Sequence, residues 1–311
     1  MGVMKILVTT GSWNAALVVM KSLSLKGCQV HLLDSDPLCA GFHSKYCSGS
    51  IITPRESNKV GYIDAVVKAI SAQRFDLLIP VSDHATEFLS EERGRITPHI
   101  RLLLPSKELI ALARFKDNAY RFMLEHNIDI PETYFPRSFE EVDRLTEGMS
   151  YPCVVKKSRG SANRGNAYFY ERKGLAEYYR KLKAQDLWPV IQKFVEGDFY
   201  GFTALVRDGE ILDCFMYKAR QEYALSGTPP YGVSIIDEDF FKTVQELIRL
   251  LKWNGAINFD FLKDKDGKFK FLEINPRLSG SVDFAYAVGV DFPSLYLDLA
   301  LGKKTKTPFF L

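Results

Sequence analysis

Residues 4–105 alternate short apolar runs with amphipathic stretches. KILVTT leads to a turn at Gly11-Ser12 and an apolar-periodic segment over 14–25, and then come QVHLLD, YIDAVVKAISAQ, DLLIPV and RLLLP. Runs apolar on both faces, separated by segments of helical period, are buried most readily in a parallel sheet with helices packed on it. A βαβ-type unit is therefore expected here. Ligands of such sheets collect past the carboxyl ends of the strands, which brings Gly11, Ser12, Asp34, Asp36, Ser82 and Asp83 into view. A dinucleotide fingerprint does not fill that place. Asp34 stands where a ribose-binding acid would, but GSWNAA supplies one glycine and lacks those that let a pyrophosphate approach and a helix pack on its strand. The segment is expected to be a scaffold turn, with Ser12 or Asn14 capping the helix.

With 311 residues, 46% of them hydrophobic, the chain can bury more than one core. Its 41 basic and 38 acidic residues leave a formal charge of +3, too even for the broad basic face that duplex nucleic acid requires. Small molecules are the expected partners, and nucleic acid is not. The cysteines, Cys28, Cys39, Cys47, Cys153 and Cys214, are odd in number and contain no C-x-x-C pair, which fits a reducing compartment better than a disulfide framework. Cys39, His43 and Cys47 fall at helical spacing, but Gly41 and Ser44 break that stretch and no fourth zinc ligand lies nearby. The opening MGVMKILVTTG reads as a strand and not as a leader, and no apolar run approaches the length of a membrane span. A soluble, cytoplasmic protein is expected, with no membrane partner; a homodimer is compatible with this reading.

Beyond residue 105 the pattern changes. Residues 106–127 read as helix, Pro131 ends that segment, and FEEVDRL reads as a further helix. YPCVVKK is a short apolar strand ending in lysines, followed by a loop rich in Gly, Ser and Asn. WPVIQKFVEGDFYGFTALVRDGEILDCFMY reads as two strands with turns at Glu196-Gly197 and Asp208-Gly209. DEDFFKTVQELIRLLKW reads as an amphipathic helix, and GAINFDFLKDKDGKFKFLEINPR as a hairpin turning at Asp266-Gly267. KKTKTPFFL is expected to be a loosely held tail.

The hairpin carries the sharpest chemistry. Asp260 stands near the end of one strand, and Glu273 and Asn275, two apart, share a face of the other. Three hard oxygen donors suit Mg²⁺, which keeps waters and takes further ligands from phosphate oxygens. Arg277, two residues on, would bring a guanidinium to the same place. In KKSRGSANRG, backbone amides of a flexible loop can fold over polyphosphate and a lysine at the strand end can reach it. The loop is not a Walker A sequence, because Asn166-Ala167 stand where Lys and Ser/Thr belong.

Taken in order, these pieces resemble the ATP-grasp superfamily, most closely the branch of the carbamoyl-phosphate synthetase large subunit and the carboxylate–amine ligases. FLEINPRLSGS is the most specific match, E-x-N-P-R with a carboxylate 13 residues earlier. The resemblance implies a pre-grasp α/β domain with a parallel sheet at 1–105, then a two-subdomain ATP-grasp fold of α+β character. Its first subdomain, 106–190, would carry the glycine-rich loop, and its second, 191–311, the adenine hinge and metal site. It also implies ATP and Mg²⁺ (or Mn²⁺) as cofactors. Asp260, Glu273 and Asn275 match the metal positions and Arg277 the arginine that steadies the phosphate or acyl phosphate. Lys116 matches the basic residue of the family's D-K segment, with Phe115 in place of the acid, and Lys156 the phosphate-contacting lysine. Ser158, Gly160, Ser161 and Gly165 match the mobile loop. Gln192, Lys193, Phe194 and Val195 fall at the hinge whose backbone meets adenine. Phe199 stands where many members hold ribose with a glutamate, leaving Asp198 or Glu196 for that role.

The activity implied is activation of a carboxylate as an acyl phosphate and its transfer to a nucleophile such as an amine. Small-molecule carboxylate and amine substrates would be the partners, with Asp83 a candidate anchor for the amino group, Arg220 for the carboxylate, and 226–232 a candidate lid. A bicarbonate-using carboxylase and a non-catalytic ATP-binding regulatory module are the alternatives; retained metal ligands weigh against the module.

Overall fold

The computed structural model describes residues 2–159, 166–182, 188–220 and 232–303. Five parallel strands, β1 (Lys5–Val8), β2 (Gln29–Asp34), β3 (Gly49–Ile52), β4 (Leu77–Ile79) and β5 (Arg101–Leu102), form a sheet in the order β3-β2-β1-β4-β5. Helices α1 (Asn14–Leu25), α2 (Lys59–Ala72), α3 (Asp83–Glu91) and the short α4 (Arg93–Ile96) connect them. Ile6, Leu7, Val8, Leu77, Leu78 and Ile79 are all fully buried, as strands covered on both faces must be. The expected cap of α1 is not made. Trp13 precedes the helix without a side-chain cap, and the Ser12 amide instead donates to Asp34 Oδ2 at 2.8 Å. The other Asp34 oxygen accepts from the Asp36 amide at 2.9 Å, so this carboxylate ties two loops together.

Helices α5 (Lys107–Arg114) and α6 (Lys116–Glu125) come next in the chain. The sequence reads as one helix here, but the chain breaks at Phe115, whose backbone is extended at φ −108° and ψ 106° and forms a β-bridge with Arg159. The Lys116 amide then donates to Ser158 O at 2.8 Å. Pairing with a distant strand end overrides local helical periodicity and sets Lys116 at the start of a new helix.

Strands β6 (Thr133–Tyr134), β7 (Cys153–Lys156), β8 (Ala167–Phe169) and β9 (Val190–Lys193) form an antiparallel sheet in the order β6-β9-β7-β8, covered by α7 (Phe139–Leu145) and α8 (Arg172–Arg180). A third, antiparallel sheet is made of β10 (Gly197–Arg207), β11 (Glu210–Ala219), β12 (Gly232–Ser234), β13 (Gly255–Asp264) and β14 (Phe269–Asn275) in the order β12-β11-β10-β13-β14. Thus 188–217, expected to hold two strands, holds parts of three, and β9 belongs to the middle sheet. Helix α9 (Glu238–Leu251), capped by Asp237, packs on the third sheet together with α6 through Phe202, Phe240, Phe259, Phe261 and Phe271. The last helices, α10 (Val282–Ala287) and α11 (Phe292–Ala300), return to α1 and share its core.

One irregularity in β14 decides which way the acidic face of the hairpin points. Along β14 the core takes Phe269, Phe271 and Ile274, a spacing that regular alternation cannot give. Asp260 pairs with Glu273 and Phe261 with Phe271, so Leu272 is an extra residue bulged out of the ladder. In a regular strand Glu273 would share the core face of Phe271; the bulge turns Glu273 and Asn275 to the opposite face, beside Asp260.

Gly201 stands across from Asp260 on one side and Tyr217 on the other. A Cβ there would lie 2.1 Å from Cε1 of the buried Tyr217 ring. Gly201→Ala is expected to destabilise the fold by about 1–3 kcal/mol, the usual cost of overpacking. Urea unfolding should show a lower midpoint with an unchanged slope; an unchanged midpoint would mean the ring does not occupy that space.

Candidate active site

Asp260 and Glu273 face one another across β13 and β14 as direct cross-strand partners. Like charges in that position repel, and burial makes the repulsion stronger. Lys116, at the first turn of α6, places its ammonium on Glu273 Oε2. Asn275 bridges the pair, with Nδ2 at 3.4 Å from both Asp260 Oδ2 and Glu273 Oε1. Burial, then the Glu273 charge, pushes the Asp260 carboxyl well above the usual range. Burial would raise Glu273 too, but the Lys116 ammonium overcomes it and holds Glu273 low. Burial, with the Lys116 charge nearby, brings the Lys156 ammonium down to about 7.

Lys156 ends β7 nearly out of solvent and donates to Tyr120 Oη at 3.0 Å. The Tyr120 hydroxyl in turn donates to the carbonyl of the bulged Leu272 at 2.8 Å. Behind Asp260, Asn258 donates from Nδ2 to Asp260 Oδ1 at 3.0 Å, while its Oδ1 accepts from Thr203 at 2.9 Å and Ser279 at 3.0 Å. Ser281 Oγ lies 2.7 Å from Thr203 Oγ1 and 2.6 Å from Ser279 Oγ. These hydroxyls fix the orientation of the Asn258 amide, and with it one oxygen of Asp260.

Arg277 does not stand free. Its Nε donates to Asp83 Oδ1 at 2.8 Å and its Nη2 to Asp83 Oδ2 at 3.2 Å, with Asn275 Oδ1 also 3.2 Å from Nη2. Asp83 opens α3 at the carboxyl end of β4, so the fork ties the parallel sheet to the end of β14. Arg114 Nη1 lies 3.6 Å from the same carboxylate and its Nε donates to Glu87 at 3.2 Å, and Arg159 pairs with Glu87 as well. Asp83, Glu87, Arg114 and Arg277 are all buried. Against burial, the charges of Arg277 and then Arg114 hold Asp83 below the usual carboxylate range. The guanidinium also lies 5.2 Å from the Trp13 ring centroid.

The other residues singled out in the sequence are spread around this cluster. Ser158, buried, hydrogen-bonds Asp117 at the start of α6. Gln192 is buried and donates to Thr133 Oγ1 at 2.9 Å. The Lys193 amide donates to Glu132 O at 2.9 Å, and the Phe194 amide to Pro152 O at 3.2 Å. Val195 is half-buried in the link to β10. Asp198 is exposed and paired with Lys218 at 2.6 Å, Glu196 pairs with Lys265, and the Phe199 ring packs on Tyr217. Arg220 lies exposed just past β11, outside the buried cluster. Gly160, Ser161 and Gly165, most of the 226–232 segment, and the tail beyond Lys303 lie outside the described residues. Sequence reasoning missed Tyr120, Asn258, Arg114 and Glu87. The first stands at i, i+4 from Lys116 and so could have been found; the others are joined to the site by contacts between distant segments.

The donor set fits a small hard cation completed by phosphate. Among the described residues no group of three or more His, Cys, Asp or Glu could hold a metal unaided; two carboxylates leave positions for other oxygens, and Asn275 adds its own only on turning its amide, since here Nδ2 faces the carboxylates and Oδ1 accepts from Arg277.

Asp83→Asn would leave Arg277 and Arg114 short of a buried counterion and is expected to cost about 3–5 kcal/mol. Because the folded pKa of Asp83 lies below its unfolded value of about 3.9, its contribution is complete above that value and lost as pH falls through the lower, folded one. Urea melts below about pH 4 should therefore show wild type losing stability faster than Asp83→Asn; parallel acid limbs would count against the assignment.

Three comparisons bear on this geometry. The family model described as "ATP-grasp in the biosynthetic pathway with Ter operon" matches residues 213–310. The carbamoyl phosphate synthase large chain of Pseudothermotoga lettingae is 26% identical over 216 residues, covering 66% of this chain and 20% of that one. The chain thus spans about a fifth of that relative's length. Among solved structures, L-amino acid ligase from Bacillus licheniformis superposes with a TM-score of 0.75 at 17% identity, over 96% of this chain and 74% of that one. The biotin carboxylase domain of Hydrogenobacter thermophilus 2-oxoglutarate carboxylase, solved as a dimer with MgADP, ADP and bicarbonate, superposes at 0.77 with 18% identity, over 98% and 71%. No helix among the described residues is long and apolar enough to cross a membrane. The chain is thus similar to an ATP-grasp family model over residues 213–310 and to the carbamoyl phosphate synthase large chain over two thirds of its own length, and it shares its fold with the L-amino acid ligase and the biotin carboxylase domain.

Proposed function

We propose that the chain is an ATP-dependent ligase that phosphorylates a small-molecule carboxylate and transfers the acyl group to a nucleophile, an amine before a thiol. The observation that carries this reading is the gathering of Lys116, Lys156, Asp260, Glu273 and Asn275 at one place, with Arg277 held beside them by Asp83. A magnesium ion, or manganese in its stead, would be held by Asp260, Glu273 and Asn275 and would screen the charge of the β- and γ-phosphates. Lys116 and Lys156 take up the remaining phosphate charge. Ser158 with Gly160, Ser161 and Gly165 covers the phosphates, and the backbone of Gln192, Lys193, Phe194 and Val195 meets the adenine. Asp198, now on Lys218, is the ribose candidate. We read the chain as a parallel-sheet unit at 1–105 and two clasping units; the division expected at 190/191 would fall inside β9, which pairs within the middle sheet, so we set it just after that strand.

A substrate carboxylate oxygen attacks the γ-phosphorus and the bond to the β-phosphate oxygen breaks, giving ADP and an acyl phosphate. The amine then attacks the acyl carbon, phosphate leaves with the C–O electron pair, and the amine releases its proton. Positioning and charge carry both steps. Arg277, preorganised by Asp83, stabilises the phosphoryl and acyl oxygens with the rest of its fork. Committed to Arg277 and Arg114, Asp83 acts here as a positioning residue, not as an anchor for the amino group.

An ADP- and phosphate-release screen with Mg-ATP, over amino acids paired with candidate acids and with bicarbonate alone, tests the reading. Release that requires an acid and an amine supports it. Release with bicarbonate alone would replace it with a carboxylase, and ATP binding without release in any pair would replace it with a regulatory module.

ATP should raise the melting temperature only with Mg²⁺ present, because Asp260, Glu273 and Asn275 are too few ligands without phosphate oxygens; equal stabilisation in excess chelator would contradict the metal assignment. Arg277→Lys keeps the charge beside Asp83 but loses the fork, and should lower turnover by about 10²–10³ with little change in nucleotide affinity. Glu273→Gln should weaken both. Near-wild-type turnover in Arg277→Lys would remove Arg277 from the chemistry.

A further inference from the structure

We infer that Lys116 is an internal cation for the carboxylate pair, so that the site admits a divalent ion only together with nucleotide phosphate. The inference rests on the proposed nucleotide site but turns on a contact within the protein. The Lys116 ammonium sits on Glu273 Oε2, and the two side chains are only 12% and 18% exposed. The other Glu273 oxygen is 3.4 Å from Asn275 Nδ2. The Lys116 backbone is anchored as well, its amide bonded to Ser158 O at 2.8 Å at the end of the strand that leads into the glycine-rich loop. Lys156 is turned to Tyr120 Oη at 3.0 Å, so among the described residues Lys116 is the cation in direct contact with Glu273.

Glu273 Oε2 cannot serve an ammonium and a metal ion at once. A divalent ion entering alone must displace Lys116 into a buried space that already holds Lys156, leaving like charges without counterions, which is among the costliest arrangements in a protein interior. Nucleotide phosphates change that balance, because they give both lysines new anionic partners as the metal takes over Glu273. Lys116 thereby makes metal and nucleotide affinity cooperative, with each ligand lowering the cost of admitting the other.

Manganese provides the test, since loss of the free Mn²⁺ electron paramagnetic resonance signal reports binding without any turnover. The full chain is titrated with Mn²⁺, with and without a non-hydrolysable ATP analogue. Wild type should bind Mn²⁺ weakly alone and much more tightly with the analogue. Lys116→Met should bind Mn²⁺ alone roughly tenfold or more tighter than wild type, because the competing buried charge is gone. Lys116→Arg should restore the wild-type exclusion, and Glu273→Gln in the Met background should abolish the gained site. Circular dichroism checks folding, and Lys116→Gln takes the place of the Met variant if that does not fold. Mn²⁺ affinity unchanged within about twofold in the neutral variants would overturn the inference, as would equal wild-type affinity with and without the analogue where the analogue binds. Failure of the analogue to bind wild type would sink the proposed function instead, while the nucleotide-free comparison of Lys116 variants would still decide this inference.

Discussion

Two carboxylates set directly opposite one another on neighbouring antiparallel strands cost free energy, and the Asp260–Glu273 pair has to be supported from several directions at once. Asn275 bridges them, Lys116 neutralises one, and Asn258 fixes an oxygen of the other. Each support comes from a different stretch of chain. The hairpin supplies the repulsion, the break before α6 supplies the ammonium, and the serines after β14 orient the amide that stands behind Asp260. Polar groups collected this way are stable only when nearly all are satisfied, and here nearly all are.

The same reasoning explains why the first sheet matters to a site it does not contain. Asp83, at the carboxyl end of β4, takes both arms of the Arg277 fork, and Arg114 and Glu87 extend the alternation of charge to Arg159. A buried chain of this kind contributes little net stability compared with apolar packing, but it tolerates few alternative geometries. It holds the end of β14, the start of α3 and the residue that precedes the glycine-rich loop in one fixed relation.

Much of this architecture is legible in the amino-acid sequence. The parallel sheet comes from buried strands spaced by helical segments, and the hairpin from alternation around Asp266-Gly267. The shared face of Glu273 and Asn275 comes from strand period. What escapes is decided by distant contacts. The helical pattern runs straight through Phe115, and only its bridge to Arg159 breaks it. β9 looks like a neighbour of β10 in sequence but pairs with β6 and β7. The Asp83–Arg277 pair spans 194 residues, and no local pattern announces it. Arg277 can be read as a phosphate ligand from its motif, but not as one already held by a carboxylate.

The bulge at Leu272 carries a consequence for how this hairpin can vary in length. Its core positions, Phe269, Phe271 and Ile274, change phase at a single residue, and the face that carries Glu273 and Asn275 is set by that change. Residues added or lost in pairs near Asp266-Gly267 would lengthen or shorten the arms and leave the phase intact. Loss of Leu272 would leave Phe271, Glu273, Ile274 and Asn275 in strict alternation with Glu273 still opposite Asp260, whereas straightening the bulge with Leu272 kept in the strand would send the glutamate toward the phenylalanines and an isoleucine to the other face, since each side chain beyond it trades faces. The hairpin is thus elastic at its tip, while near its base the extra residue must either stay bulged or be absent altogether for the E-x-N face to meet Asp260.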